Sequence, residues 1–293
     1  MNYTLANDQC RATVATHGAE LTSLVDLASG REYLWQADPA YWGRHAPLLF
    51  PIVGKLPDDT YLHQGRAYRL PQHGFARDHE FQLIKEETNS FKFQLLHSAA
   101  TLAVYPFEFD LRVRYTLRGR TLTVGWLVRN PAASGQALLF SVGAHPAFNC
   151  PLGPGEQFSD YTFRFDHPVT LRRQLLRGGL RSGDTALVLD GQAALPLSYE
   201  LFADDALVIS EFDFTRLALQ RADGTGPAVR LRFDGFPYLG LWTKGPGATF
   251  ICVEPWQGVA SSLGPPQELR DKEGILTLAP SQEFATSYDI EIS

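Results

Sequence analysis

The chain has 293 residues, of which 44% are hydrophobic and 20% charged, the balance of an ordinary globular protein. At this length roughly three quarters of the unfolded surface is buried on folding, so the core needs neither disulfide nor metal support. A net charge of −6 excludes the broad basic face that nucleic-acid binding requires.

Cys10, Cys150 and Cys252 are odd in number, far apart and free of any C-x-x-C spacing, so neither a zinc site nor a disulfide framework is expected. The first residues, Met1 to Asp8, lack the basic and apolar regions of a leader, and no run approaches the ~18 apolar residues of a membrane span. These features predict a reduced, cytoplasmic protein that meets neither membrane nor nucleic acid.

Helical periodicity is scarce, and strand-like runs recur between Gly, Pro, Asn and Asp. Cys10 to Ala15 and Ala19 to Leu27 read as a hairpin around Thr16-His17-Gly18, and Glu32 to Trp35 as a short third strand. Residues 36–60 are irregular, and the prolines at 47, 51 and 57 forbid a central strand there. A stretch this long carrying Trp42, Arg44, His45 and Lys55 reads as a binding loop.

Further strands are expected over Glu80 to Glu87, Phe91 to His97, Phe107 to Leu117 and Thr121 to Asn130. In Phe109 to Leu117 odd positions are apolar and even ones polar, the pattern of an antiparallel strand with one solvated face. Ala137 to Val142 is nearly continuously apolar and reads as buried on both faces. Short strands follow over Tyr161 to Phe165, Ala186 to Leu189, Ala206 to Glu211, Arg216 to Arg221, Val229 to Phe233, Thr249 to Val253, Ile275 to Leu278 and Phe284 to Ile292. Helix is expected only near Pro39 to Trp42 and Gln267 to Lys272. With no linker and no repeat, residues 1–293 read as one all-β domain, a large antiparallel β-sandwich.

Three residues stand out chemically. Glu254, in Cys252-Val253-Glu254-Pro255-Trp256-Gln257-Gly258, follows apolar strand residues, where an unpaired carboxylate is costly unless it has a partner or a task. His145, in Ala144-His145-Pro146-Ala147-Phe148, stands at the mouth of the buried run, and Pro146 restricts it to extended backbone. His73, between Pro71-Gln72 and Gly74, lies on a turn. A structural ion pair for Glu254, a core position for His145 and a capping or surface role for His73 are the competing readings. Trp242 and Trp256 flank the region, and an aromatic face suits a sugar ring as well as it suits a core. The arginines at 164, 172, 173, 177 and 181 read as a phosphate patch or as a solvated face. Gly178-Gly179 fits no phosphate loop, and the remaining histidines lack metal-ligand spacing.

Five stretches in this order resemble the aldose 1-epimerase (galactose mutarotase) family, and most of all its short bacterial LacX-like branch. They are Gly18-Ala19-Glu20-Leu21-Thr22-Ser23-Leu24, Phe50-Pro51-Ile52-Val53-Gly54-Lys55-Leu56, His73-Gly74-Phe75-Ala76-Arg77-Asp78, Gly143-Ala144-His145-Pro146-Ala147-Phe148-Asn149, and Cys252-Val253-Glu254-Pro255-Trp256. The resemblance implies a galactose mutarotase-like supersandwich with an open cleft. It also implies cofactor-free interconversion of the α and β anomers of an aldose, by a monomer or homodimer.

Carried onto this sequence, the resemblance makes His73 a sugar contact, His145 the general acid and Glu254 the general base. Asp205 matches a sugar-binding aspartate, with Asp204 as the competing choice. Lys55 stands where galactose mutarotases have an arginine, a change that removes a planar bidentate donor. Arg77 matches an arginine that holds phosphate in the related hexose-6-phosphate 1-epimerases. No metal is implied. A hexose-6-phosphate epimerase and a non-catalytic carbohydrate-binding protein are the alternative functions, so the partner is a small sugar or sugar phosphate.

Overall fold

The computed structural model describes residues 1–133 and 135–293. Antiparallel strands dominate, as the alternation predicts. Thirteen of the fifteen strands of the main sheet follow one another in the order Leu48–Leu49, Gly143–Ala144, Phe250–Trp256, Tyr238–Trp242, Leu207–Ile209, Tyr161–Arg177, Arg216–Arg221, Val229–Arg232, Glu283–Ile292, Thr121–Arg129, Asp110–Arg118, Ser90–Leu96 and Gln82–Glu87. Ala147–Asn149 adds to the free side of Phe250–Trp256, and Leu180–Pro196 pairs with Tyr161–Arg177. A three-stranded sheet of Asn2–Ala6, Cys10–Ala15 and Leu21–Asp26 packs on the same core. The architecture is the antiparallel β-sandwich that the sequence predicts.

The Asp110–Arg118 strand buries Leu111, Val113, Tyr115 and Leu117 and turns its arginines outward. Leu138–Phe140 is buried throughout, as expected, and pairs with Leu276–Leu278 in a separate two-stranded sheet.

Four local expectations change. Glu32 to Trp35 makes only isolated bridges, because the Glu32 carboxylate itself accepts the Leu24 and Leu34 amides at 2.7 and 2.9 Å. Helix near Pro39 is replaced by a turn in which Asp38 accepts the Tyr41 and Trp42 amides. Gln267 to Lys272 holds a single 3-10 turn, Leu269–Asp271. An unexpected helix spans Ala99–Val104, capped by Ser98, whose hydroxyl accepts the Thr101 amide while Thr101 Oγ1 accepts the Ser98 amide.

The largest departure is the hairpin Tyr161–Arg177 and Leu180–Pro196, seventeen residues on each side, where two short strands were expected. Gly178 and Gly179 form its tip, both with positive φ (59° and 81°), a backbone that favours glycine and matches strand twist. Its register shifts four times, and these irregularities break the alternation that would have revealed it. The arginines scatter along this arm. Arg173 pairs with Asp204 at 3.1 Å, and Arg181 is buried against the Ala260 carbonyl and Glu273.

The strand Phe250–Trp256 separates two environments. Ile251 and Val253 enter the main core, whereas Phe250 and Cys252 pack with Trp35 and Ala147 on the other face. Trp256 lies on that second face between two glycines of the neighbouring strands. A Cβ on Gly143 would come within 2.7 Å of the indole, and one on Gly240 within 2.5 Å. The indole N–H donates to the Ala144 carbonyl at 3.2 Å. Gly240→Ala is therefore expected to destabilise the fold by about 1–3 kcal/mol through overpacking. A lowered urea midpoint with an unchanged slope checks this; an unchanged midpoint would mean that the indole yields freely.

Candidate active site

A cleft of about 380 Å³ opens over Trp256. Strand register positions its two central groups. Ala147 pairs with Cys252 in antiparallel order, so two residues further along His145 faces Glu254. The Val253 amide donates to the Pro146 carbonyl at 3.2 Å and continues the ladder past the proline. His145 Nε2 and Glu254 Oε2 lie 3.1 Å apart, yet Oε2 and His145 Nδ1 both lack a hydrogen-bond partner.

Both side chains are almost completely enclosed, at 8% and 1% exposure, and burial decides their charge. It pushes the Glu254 carboxyl well above the ordinary carboxylate range, with the nearby Asp205 charge adding to the effect. Burial pushes the His145 imidazole down, with the Arg77 and Arg44 charges acting the same way. Burial thus favours a neutral carboxyl beside a neutral imidazole, despite a separation short enough for an ion pair.

His73 closes the third side, its ring 5.7 Å from that of His145 and nearly perpendicular to it. It has a left-handed backbone (φ 68°) followed by Gly74 (φ 71°). A reciprocal clamp holds it there. The His73 amide donates to the Gly54 carbonyl at 3.0 Å, and the Gly54 amide donates to His73 Nδ1 at 3.1 Å. Nδ1 is thereby an acceptor, so the neutral ring carries its proton on Nε2. Burial, and then the neighbouring His145, hold His73 well below its ordinary value.

Gly54 is required for this approach, since its φ is 74° and a Cβ would lie 2.4 Å from the Ala260 backbone. Gly74 is equally confined against the Phe50 carbonyl. The loop between residues 36 and 60 is anchored in turn by buried Glu20, which accepts the His45 and Ala46 amides at 2.7 and 2.8 Å.

The cleft brings together six of the seven candidates named from sequence: His73, Arg77, His145, Asp205, Trp242 and Glu254. Lys55 is the exception. Its ammonium turns away to the Gly178 carbonyl at 3.0 Å and props the tip of the long hairpin, whose Leu176 and Gly179 form one wall. Of the two aspartates, Asp204 is bound to Arg173, while Asp205 lines the cleft from a left-handed backbone (φ 88°).

Trp42 stacks on His145 with centroids 4.8 Å apart, and Trp242 meets the same ring edge-on at 5.9 Å. Arg77 donates through Nη2 to the Gln72 carbonyl at 2.7 Å, while its buried Nε makes no hydrogen bond and lies 3.9 Å from Asp78 Oδ2. Arg44, beside it, is tied to Asp78 at 2.8 Å.

Gln72, Lys244, Leu176 and Gly179 also line the cleft and escaped sequence reasoning. Lys244 had a legible signal, because it continues the alternation Gly240, Trp242, Lys244 two residues past the end of the strand Tyr238–Trp242. The hairpin residues had none without knowledge of the arm.

Comparison with known proteins finds relatives along the whole chain. Residues 1–269 match the family model described as aldose 1-epimerase. The chain is 37% identical over 300 residues to the chromosomal protein LacX of Lactococcus lactis subsp. lactis, covering 100% of this chain and 99% of that protein. A galactose mutarotase related enzyme from Lactobacillus acidophilus superposes with a TM-score of 0.94 at 33% identity, covering 100% of this chain and 97% of that one. A galactose mutarotase-like protein from Lactobacillus casei ATCC 334 gives 0.93 at 32% identity, covering 100% of both chains.

Burial of Glu254 has a consequence for stability. Its carboxyl is raised in the folded chain, so between the ordinary and the raised value the folded state holds a proton that the unfolded state has released. Stability is therefore lost as pH rises through that window, by up to about 1.4 kcal/mol per pH unit. Glu254→Gln removes the ionisation and is expected to be more stable than the parent, by a margin that widens from pH 5 to pH 8. Thermal unfolding across that range checks the sign; a margin that is constant or shrinks with pH would contradict it.

Proposed function

The chain belongs to the aldose 1-epimerase family, and we propose that it interconverts the α and β anomers of an aldose in this cleft, with Glu254 as base and His145 as acid. The observation that carries the reading is the buried pair itself, two proton-transfer groups 3.1 Å apart with an unsatisfied atom on each. Groups contributing to the cleft range from Trp42 to Ala260, which supports treating residues 1–293 as one catalytic unit.

Glu254 takes the proton of the C1 hydroxyl as the C1–ring oxygen bond breaks. The bond's electron pair stays with the ring oxygen, which receives a proton from His145, and C1 becomes the aldehyde carbon. Rotation about C1–C2 followed by the reverse transfers closes the ring on the other face and restores both groups. The reactive form, carboxylate plus imidazolium, is an isomer of the neutral pair that burial favours. The site therefore needs no proton from solution to start a cycle.

Positioned transfer of this kind contributes roughly 10²–10⁴-fold. His73, through its Nε2–H, and Asp205 would bind sugar hydroxyls, and Trp242 and Trp42 would cover the apolar face of the ring.

A second reading, epimerisation of a hexose 6-phosphate, is favoured by Arg77, whose buried Nε lies 3.9 Å from Asp78 and makes no hydrogen bond, and by Lys244 on the cleft wall. The discriminating measurement is polarimetry or NMR exchange on fresh α-D-glucose and α-D-galactose alongside hexose 6-phosphates. Acceleration of the free sugars is expected; acceleration of the phosphates alone would establish the second reading. Detectable binding without acceleration would leave only a carbohydrate-binding protein.

Two variants and a pH series test the roles. Glu254→Gln and His145→Gln are each expected to lose at least ~100-fold in turnover while the sugar still binds. Since burial holds His145 neutral, the rate is expected to stay level through the ordinary histidine value of about 6.5. An inflection there, or near-normal turnover in Glu254→Gln, would overturn the assignment.

A further inference from the structure

Proton transfer between Glu254 and His145 leaves Cys252 unused. It stands two residues before Glu254 on the same face of the strand, opposite Ala147 on one side and Trp242 on the other, and is fully buried. One ligand atom each from His145, Cys252 and Glu254 all lie within 4.8 Å of one another. Glu254 is almost fully buried, and its Oε2 faces His145 Nε2 at 3.1 Å without a hydrogen-bond partner. Sulfur, imidazole and carboxylate converging on one point is a donor set that suits a borderline-soft divalent cation and discriminates against Mg²⁺ and Ca²⁺.

We propose that His145, Cys252 and Glu254 form a capture site for a zinc-class divalent cation, and that capture shuts the cleft.

Tetrahedral zinc sites with three protein ligands keep a fourth position open; here His145 and Glu254 line the cleft, while Cys252 packs with Trp35, Ala147 and Phe250. Zinc–ligand bonds of about 2.0–2.3 Å put ligand atoms roughly 3.5 Å apart, so the trio closes in on the ion by about an ångström. The thiol proton and the Glu254 carboxyl proton leave to solvent, and the metal takes the freed lone pairs together with that of the neutral imidazole. Nothing is oxidised or reduced. The same lone pairs are those the sugar chemistry requires, so metal and aldose exclude each other. The inhibition rests on the acid–base reading above, whereas the binding site does not.

Co²⁺ serves as a spectroscopic stand-in that reports thiolate ligation without any assay of turnover. One equivalent is expected to produce a thiolate-to-cobalt charge-transfer band, which Zn²⁺ abolishes by displacement. Cys252→Ala should lose the band, whereas Cys10→Ala and Cys150→Ala should keep it. Unfolding profiles establish that each variant is folded, and Glu254→Gln, which keeps the thiol, should bind at least tenfold more weakly. In the sugar assay Zn²⁺ should inhibit reversibly on addition of EDTA, with more Zn²⁺ needed as aldose is raised. Cys252→Ala, compared with its own metal-free rate, should need at least tenfold more Zn²⁺.

No band in the folded parent, or a band that survives in Cys252→Ala, would overturn the site. A normal band in a protein that epimerises no sugar would retain the site and discard the reaction.

Discussion

The pairing of Ala147–Asn149 with Phe250–Trp256 is the constraint on which the cleft depends. Side chains on neighbouring antiparallel strands meet only in register, and a slip of one residue would send Glu254 into the core. Alternation along Phe250–Trp256 puts Ile251 and Val253 into the main core, so their burial stabilises the same register that holds Glu254 against His145. The apolar core therefore supplies the energy that keeps two mutually dependent polar groups out of water. Pro146 breaks regular strand structure between the two segments, yet its carbonyl still accepts the Val253 amide. His145 is thereby held at the strand's end, where it faces the cleft.

Around that pair, backbone atoms perform much of the positioning. His73 is held by two bonds to one residue, Gly54, and Gly54 can approach only because no Cβ stands between it and Ala260. Glu20 performs the equivalent task for the loop, accepting two of its amides. The floor follows the same rule, since Trp256 lies flat where Gly143 and Gly240 leave room. Missing side chains and satisfied amides lose little conformational freedom on binding, which keeps a site built from distant segments rigid.

The strands with one solvated face were legible because their period of two is uninterrupted, as in Asp110–Arg118. Glu254, His145 and His73 were legible as oddities, polar groups beside Pro, Gly or apolar runs. The Tyr161–Arg177 and Leu180–Pro196 hairpin was not, since four register shifts scramble its alternation and its Gly-Gly turn lacks the expected flanking pattern. Lys55 stands apart for a related reason. Gly54 beside it lines the cleft, but only the folded arm supplies the Gly178 carbonyl that its ammonium meets. Contacts made by an element that sequence does not reveal are themselves invisible in it.

Burial of Glu254 and His145 opposes folding and, on the proposed reading, serves the chemistry through the same physics. Water around the pair would let each group titrate independently, as carboxylate and histidine do on a surface. Enclosed by Trp42, Trp242 and Trp256, they instead compete for one proton, and desolvation favours the neutral arrangement. On the proposed reading, a sugar in the cleft would bring its own dipoles, and the internal transfer that creates carboxylate and imidazolium would become less costly with substrate in place. A charge-separated pair maintained permanently would be expensive to bury. The neutral pair avoids that cost and, on the same reading, would form charge only where hydroxyl and ring oxygen are present to receive it.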